Sequence, residues 1–123
     1  MDIYEFARTF ISCLETGDRA GARNCYHADA EIWHNFDGVT QTVDENMALF
    51  EKLVASTKSR KYVINRLEKI EGGYLQQHIL KLETPDGETT KANAIVLVTV
   101  DGGKIRRIEE YIDPKPIMKV LTV

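Results

Sequence analysis

The sequence predicts one α+β domain over residues 1–123, a curved antiparallel sheet wrapped by three N-terminal helices around a pocket. Three observations predict it. Apolar residues recur at helical spacing through the first half of the chain. From Arg60 onward the pattern changes to strands divided by glycine turns. No repeat, low-complexity tract or long linker interrupts the order, and 123 residues suit one domain. Helices grouped ahead of consecutive strands specify α+β rather than a doubly wound sheet.

Ile3, Phe6, Ala7, Phe10, Ile11 and Leu14 form one apolar stripe, so residues 2–16 read as an amphipathic helix ended by Gly17. Asp18 caps a short second helix that runs toward Tyr26. Residues 30–34 read as a short strand, because Ile32 and Trp33 favour extended backbone. Phe36-Asp37-Gly38 is a turn. Thr42 and Glu45 have capping-box spacing and open a third helix with Met47, Phe50, Leu53 and Val54 as its stripe.

Residues 61–70 and 74–83 form a hairpin across Gly72-Gly73. Pro85-Asp86-Gly87 turns into a strand over 89–100, whose run Ala94-Ile95-Val96-Leu97-Val98 predicts a central strand covered on both faces. Asp101-Gly102-Gly103 leads into residues 104–112, Asp113-Pro114 stops that strand, and 116–121 close the chain as a helical turn. A long meander with helices on one face curls into a cone whose open end is a natural pocket.

Composition narrows the function. Sixteen basic and 19 acidic residues give a net charge of −3. That argues against nucleic acid as a partner, since a phosphate-binding face needs a basic surplus. The one dense basic stretch, Lys58-Ser59-Arg60-Lys61, reads as a solvated turn. No apolar run reaches the roughly 20 residues of a membrane span, and the N-terminus lacks a signal-peptide pattern, so a cytoplasmic location is expected. Cys13 and Cys25 form no Cys-x-x-Cys motif and read as reduced filler.

Three stretches carry a resemblance. Gly17-Asp18 followed by Tyr26-His27-Ala28-Asp29-Ala30 is one, the helix after Gly38 is another, and Asp101-Gly102-Gly103-Lys104-Ile105 through Glu110-Tyr111-Ile112-Asp113 is the third. Their order resembles the nuclear transport factor two-like superfamily, with its ketosteroid isomerase-like, limonene epoxide hydrolase-like and SnoaL-like members. The resemblance implies a cystatin-like cone, a small mostly apolar ligand, a homodimer formed through the outer sheet face, and no cofactor. Val63, Leu67 and Leu97 are the apolar residues expected on that outer face. At the place of the isomerase's general base stands His34. At the places of its two oxyanion donors stand Phe10 and Val96, which donate nothing, so steroid isomerisation is not expected. Where the epoxide hydrolase holds its water with a tyrosine and an asparagine, this chain has Trp33 and Asn35. Glu110 matches that enzyme's last-strand carboxylate in charge, and its arginine and aspartate fall in a stretch reading Gln76-Gln77-His78.

Alternation along strands puts Gln76 and His78 on one face, and Ile108, Glu110 and Ile112 on one face. A carboxylate between two isoleucines is paired, hydrogen-bonded or protonated. Glu110 is therefore a pocket group or a structural ion pair, or its face lies at a dimer interface with Glu109 and Tyr111 inside. His78 is a pocket group or a satisfied core histidine, and Asn35 is a site residue or a turn cap. The expected function is a cofactor-independent acid–base enzyme on a small, mostly apolar substrate, of isomerase, dehydratase, cyclase or epoxide hydrolase type. In it His34, His78, Glu110 and Asn35 do the chemistry, and Trp33, Phe10, Tyr26 and Gln76 contact the substrate. The main alternative is a pocket that binds a small ligand without turnover, and a third reading is an interaction module whose broad sheet face serves a partner. No metal site is expected, since nothing in the spacing of His34, His78 and Glu110 is diagnostic of one.

Overall fold

The computed structural model describes residues 1–121. Three helices come first or nearly so. Helix α1 (Ile3–Thr16) is capped by Asp2, whose carboxylate accepts from the Tyr4 and Glu5 N–H groups, and it ends at Gly17 with φ of 74°, a conformation that suits glycine. Helix α2 (Arg19–Asn24) is capped by Asp18. Helix α3 (Val43–Ser56) starts in a reciprocal capping box between Thr42 and Glu45. Each cap meets N–H groups that the helix itself leaves unpaired, which contributes about 1 kcal/mol.

Six strands form one curved, unclosed sheet in the order β2-β1-β6-β5-β4-β3. They are β1 (Tyr26–His34), β2 (Thr40–Gln41), β3 (Ser59–Ile70), β4 (Gly73–Glu83), β5 (Thr89–Asp101) and β6 (Lys104–Ile112). Strands β3 to β6 are the antiparallel meander that the glycine turns predict. The hairpin between β3 and β4 needs its glycine, because a side chain at Gly73 would collide with the Val98 carbonyl. A last helix, α4 (Pro114–Leu121), begins two residues earlier than expected, since proline suits a first helical turn.

The sheet departs from expectation in three ways. First, it is mixed: β1 runs parallel to β6 and starts at Tyr26 rather than residue 30. Ala28 and Asp29 are poor strand formers, and a register shift between Tyr26 and Glu31 absorbs them. The two-residue β2 had no signal of its own.

Second, β5 is central but covered on one face only. Ala94, Val96 and Val98 are buried, whereas Ile95 is 39% exposed. Its apolar run on both faces reflects an open outer face, with the helices all on the other. Third, Leu67 lies on the inner face and packs on the core. A bulge between Ile64 and Arg66 reverses the alternation, so Leu67 pairs with buried Gln76 while Val63 pairs with Ile79 on the outside.

Helix α1 is tied to the sheet by Arg60, which is buried. Its guanidinium donates to the Leu14 and Glu15 carbonyls at the open end of α1 and to the Thr57 hydroxyl. Glu15 in turn accepts from the Tyr62 N–H at 2.8 Å. These bonds hold the helix across the concave face and leave a space beneath it. Among the described residues, no helix is long and apolar enough to cross a membrane.

Candidate functional site

The space enclosed by α1, α3, α4 and the concave sheet is a cavity of about 150 Å³. Phe10 and Leu14 of α1, Phe50 and Leu53 of α3, and Ile117 of α4 supply apolar wall. The sheet supplies the polar groups. Sheet register decides which ones meet. Across one row the partners run His34, Glu110, Val96, Gln76, Leu67. The next row holds Ile112, Ala94, His78 and Ile64. Neighbouring strands lie about 4.8 Å apart, so Glu110 and Gln76 face each other over roughly 10 Å of floor made by Val96.

His34 and Glu110 form the first polar pair. His34 Nε2 stands 3.0 Å from Glu110 Oε1, with His34 buried and the Glu110 side chain 22% exposed. Among the described residues nothing bonds Glu110 Oε2. Phe36 lies beside the His34 ring at 5.3 Å and is half exposed at the mouth.

Gln76 and His78 form the second pair. The Gln76 amide donates to His78 Nδ1 at 2.9 Å, which assigns the ring proton to Nε2. His78 Nε2 and Gln76 Oε1 are both buried without a protein partner. Both residues line the cavity, and between them one donor and one acceptor are left without a protein partner. Reversing the amide would exchange the two roles and still leave one of each. Burial pushes the His78 pKa down and keeps the ring neutral, and the Glu110 charge opposes that shift.

Three tyrosines complete the lining. Tyr62 packs edge-on against His78 at 5.1 Å, and Tyr26 packs edge-on against Phe10 at 5.5 Å. Burial, and then the Glu110 charge, push the phenol pKa values of Tyr26 and Tyr62 far up. Burial does the same for Tyr74. All three stay neutral hydroxyls at any ordinary pH.

The structure thus brings His34, His78, Glu110, Gln76, Tyr26 and Phe10 to one cavity. Trp33 and Asn35 lie outside it. The period-2 alternation of β1 explains this: if His34 points inward, its two neighbours point outward. Trp33 packs on Tyr111 on the outer face, with ring centroids 5.3 Å apart. Asn35 ties strand ends together. Its side chain accepts from the Ile112 N–H, and its own N–H donates to the Glu110 carbonyl. The turn-capping role is the one that Asn35 fills.

Sequence reasoning missed Tyr62 and Tyr74. Tyr74-x-Gln76-x-His78 was a same-face signal open to alternation, but Tyr62 joins only through the hairpin register. Among the described residues no three His, Cys, Asp or Glu side chains are grouped to hold a metal ion.

A family model described as SnoaL-like domain matches residues 7–108. No curated protein matches the chain significantly. Solved structures do. A Shewanella putrefaciens CN-32 protein described as a candidate SnoaL-like polyketide cyclase superposes with a TM-score of 0.82 at 10% identity, covering 99% of this chain and 97% of that one. A Catenulispora acidiphila DSM 44928 protein with a ketosteroid isomerase-like fold, in complex with trimethylamine, gives 0.79 at 11% identity over 97% and 93% of the two chains. TerC, co-crystallized with polyporic acid, gives 0.77 at 14% identity over 98% of each. At these identities the likeness is one of fold.

Proposed function

The chain belongs to the SnoaL-like domain family, and from that premise we propose that it is a cofactor-independent acid–base enzyme acting on a small, mostly apolar substrate. The observation that carries the reading is the His34–Glu110 pair, a carboxylate held at one oxygen by a ring nitrogen and open at the other, inside a largely apolar cavity. Such a carboxylate is poised to accept a proton, because a positioned base in a water-poor site needs little reorganisation.

The proposed step is removal of a proton from carbon next to a carbonyl. Glu110 Oε2 takes the proton while the His34 Nε2–H stays on Oε1. The bonding electrons move to the carbonyl oxygen, making an enolate. Across the floor, the His78 Nε2–H donates to that oxygen. A neutral imidazole is suited to this role, since it polarises the carbonyl without a full charge to desolvate. Return of the proton at a second carbon isomerises the substrate. Attack of the enolate carbon on a second carbonyl closes a ring, and the alkoxide formed there takes the proton back from Glu110. Both outcomes share the first step, which belongs to no oxyanion donor at Phe10 or Val96.

Exchange of α-hydrogens tests this step without knowledge of the natural substrate. The full chain is incubated in deuterium oxide with gem-dimethylcyclohexanone, whose ring is of the cavity's size, and loss of the α-proton signal is followed by NMR. The expected result is exchange well above buffer, reduced by about 10²-fold or more in Glu110→Gln. A protein that only binds would perturb the ketone signals with no exchange above buffer, and that result overturns the proposal.

A further inference from the structure

We propose that the cavity selects an organic cation, a tertiary or quaternary amine, over neutral and anionic molecules of the same outline. The inference rests on the cavity being the ligand site of the reading above and narrows its substrate class.

The first observation is the charge of the lining. Glu110 is its one acidic side chain among the described residues, and no lysine or arginine reaches it. Elsewhere the protein pairs its carboxylates freely with arginine, as Asp29 with Arg106, Glu31 with Arg107 and Asp44 with Arg23. Glu110 is given only a histidine. The groups that face it are His34 and Tyr26 from β1, Tyr62 from β3 and His78 from β4. The helices α1, α3 and α4 contribute uncharged side chains alone. The cavity therefore holds one carboxylate, bonded at one oxygen and open at the other. A desolvated carboxylate of this kind gains from a cation more than an exposed one does, because the interaction is weakly screened.

The second observation is independent of charge. Six of the nine phenylalanines and tyrosines of the chain line this one space: Phe10, Tyr26, Phe36, Phe50, Tyr62 and Tyr74. Ring faces are negative, and rings gathered around a small space favour alkylammonium groups. Neutral apolar ligands would be served as well by leucine and valine. The tyrosines report the same field from the other side. Glu110 opposes their ionisation, so it opposes any second anion in the cavity. A cavity of about 150 Å³ has room for a six-membered ring.

Three ketones of closely similar ring size separate the classes. The N,N-dimethylpiperidone cation is the charged isostere of gem-dimethylcyclohexanone, and oxocyclohexanecarboxylate supplies the anion. Each is titrated into the full chain by calorimetry at about pH 8, where ordinary histidine is neutral. The cation is expected to bind about tenfold or more tightly than its neutral isostere, and the carboxylate to bind more weakly than either. Glu110→Gln should close most of the gap, and a cooperative thermal melt like that of the native chain reports that the variant is folded. A second arm keeps the charge: Glu110→Asp should retain most of the gap that Glu110→Gln closes. The proposal is overturned if the neutral ketone binds as tightly as the cation, if neither binds, or if the gap persists in Glu110→Gln. Equal binding, with exchange still dependent on Glu110, removes the cation preference and leaves the proton-transfer reading standing.

Discussion

His34 Nε2 lies 3.0 Å from Glu110 Oε1, and the two residues are direct register partners in the parallel pairing of β1 with β6. Backbone pairing therefore puts the two side chains next to each other on one face of the sheet. If they act as one base, their losses will not add. Glu110→Gln and His34→Leu should each reduce exchange by about 10²-fold, and the double variant should be little worse than Glu110→Gln alone. His34→Gln retains an amide N–H able to donate to Oε1 and should recover part of the loss. Rates that multiply in the double variant would show two independent roles.

Gln76 and His78 satisfy each other at one atom apiece and leave the other atom of each bare. Removing one partner strands a further buried group, at about 1–3 kcal/mol. Gln76→Leu and His78→Leu should each destabilise by that order in urea titrations. The double variant should cost clearly less than the sum, since it removes every stranded atom. Additive losses would mean that the two side chains are not coupled.

Burial lowers the pKa of His78, and the sign of its effect on stability follows. In the unfolded chain the ring takes up a proton near the ordinary histidine value of about 6.5. The folded protein resists that proton. Below this pH the unfolded state binds more protons, so stability falls as pH falls, by at most about 1.4 kcal/mol per pH unit from this group. Thermal melts between about pH 7.5 and pH 5 should show the decline, and His78→Gln should flatten it. A variant that declines as steeply as the native chain would assign the effect to other groups.

The meander was legible because its turns are local. Gly72-Gly73, Asp86-Gly87 and Gly102-Gly103 each mark a chain reversal with no reference to the rest of the fold. Gln76, His78 and Glu110 were legible for a related reason, since alternation along one strand needs no partner. What failed was of two kinds. Trp33 and Asn35 were assigned by correspondence with other enzymes, against the alternation that sends them outward when His34 points in. Leu67 and Tyr62 were beyond local reading, because the bulge near Ile64 and the register with β4 decide their faces. The His34–Glu110 contact depends on a parallel pairing between the first long strand and the last, and no short pattern encodes it.

The outer sheet face carries the last prediction, a homodimer. Trp33 and Tyr111 pack edge-on there, Tyr111 is 47% exposed and Ile95 is 39% exposed. Val63, Leu75, Ile79 and Leu97 are partly buried on the same face by their register. An aromatic pair and its aliphatic neighbours, with Gln77 beside Ile95 and Glu109 between Leu97 and Trp33, form a mixed face of interface composition. A curved sheet offers such a face to a copy of itself by two-fold symmetry. Sedimentation at micromolar concentration should find a species of twice the 14.0 kDa chain mass. Ile95→Lys puts an unpaired ammonium at the centre of the face, where desolvation is costly, and should give a monomer. Ile95 points away from the cavity, so exchange of the ketone α-hydrogens should persist in that monomer. A native chain that sediments as a monomer refutes the dimer, and a monomeric Ile95→Lys that loses exchange would mean that the cavity needs the second copy to keep its shape.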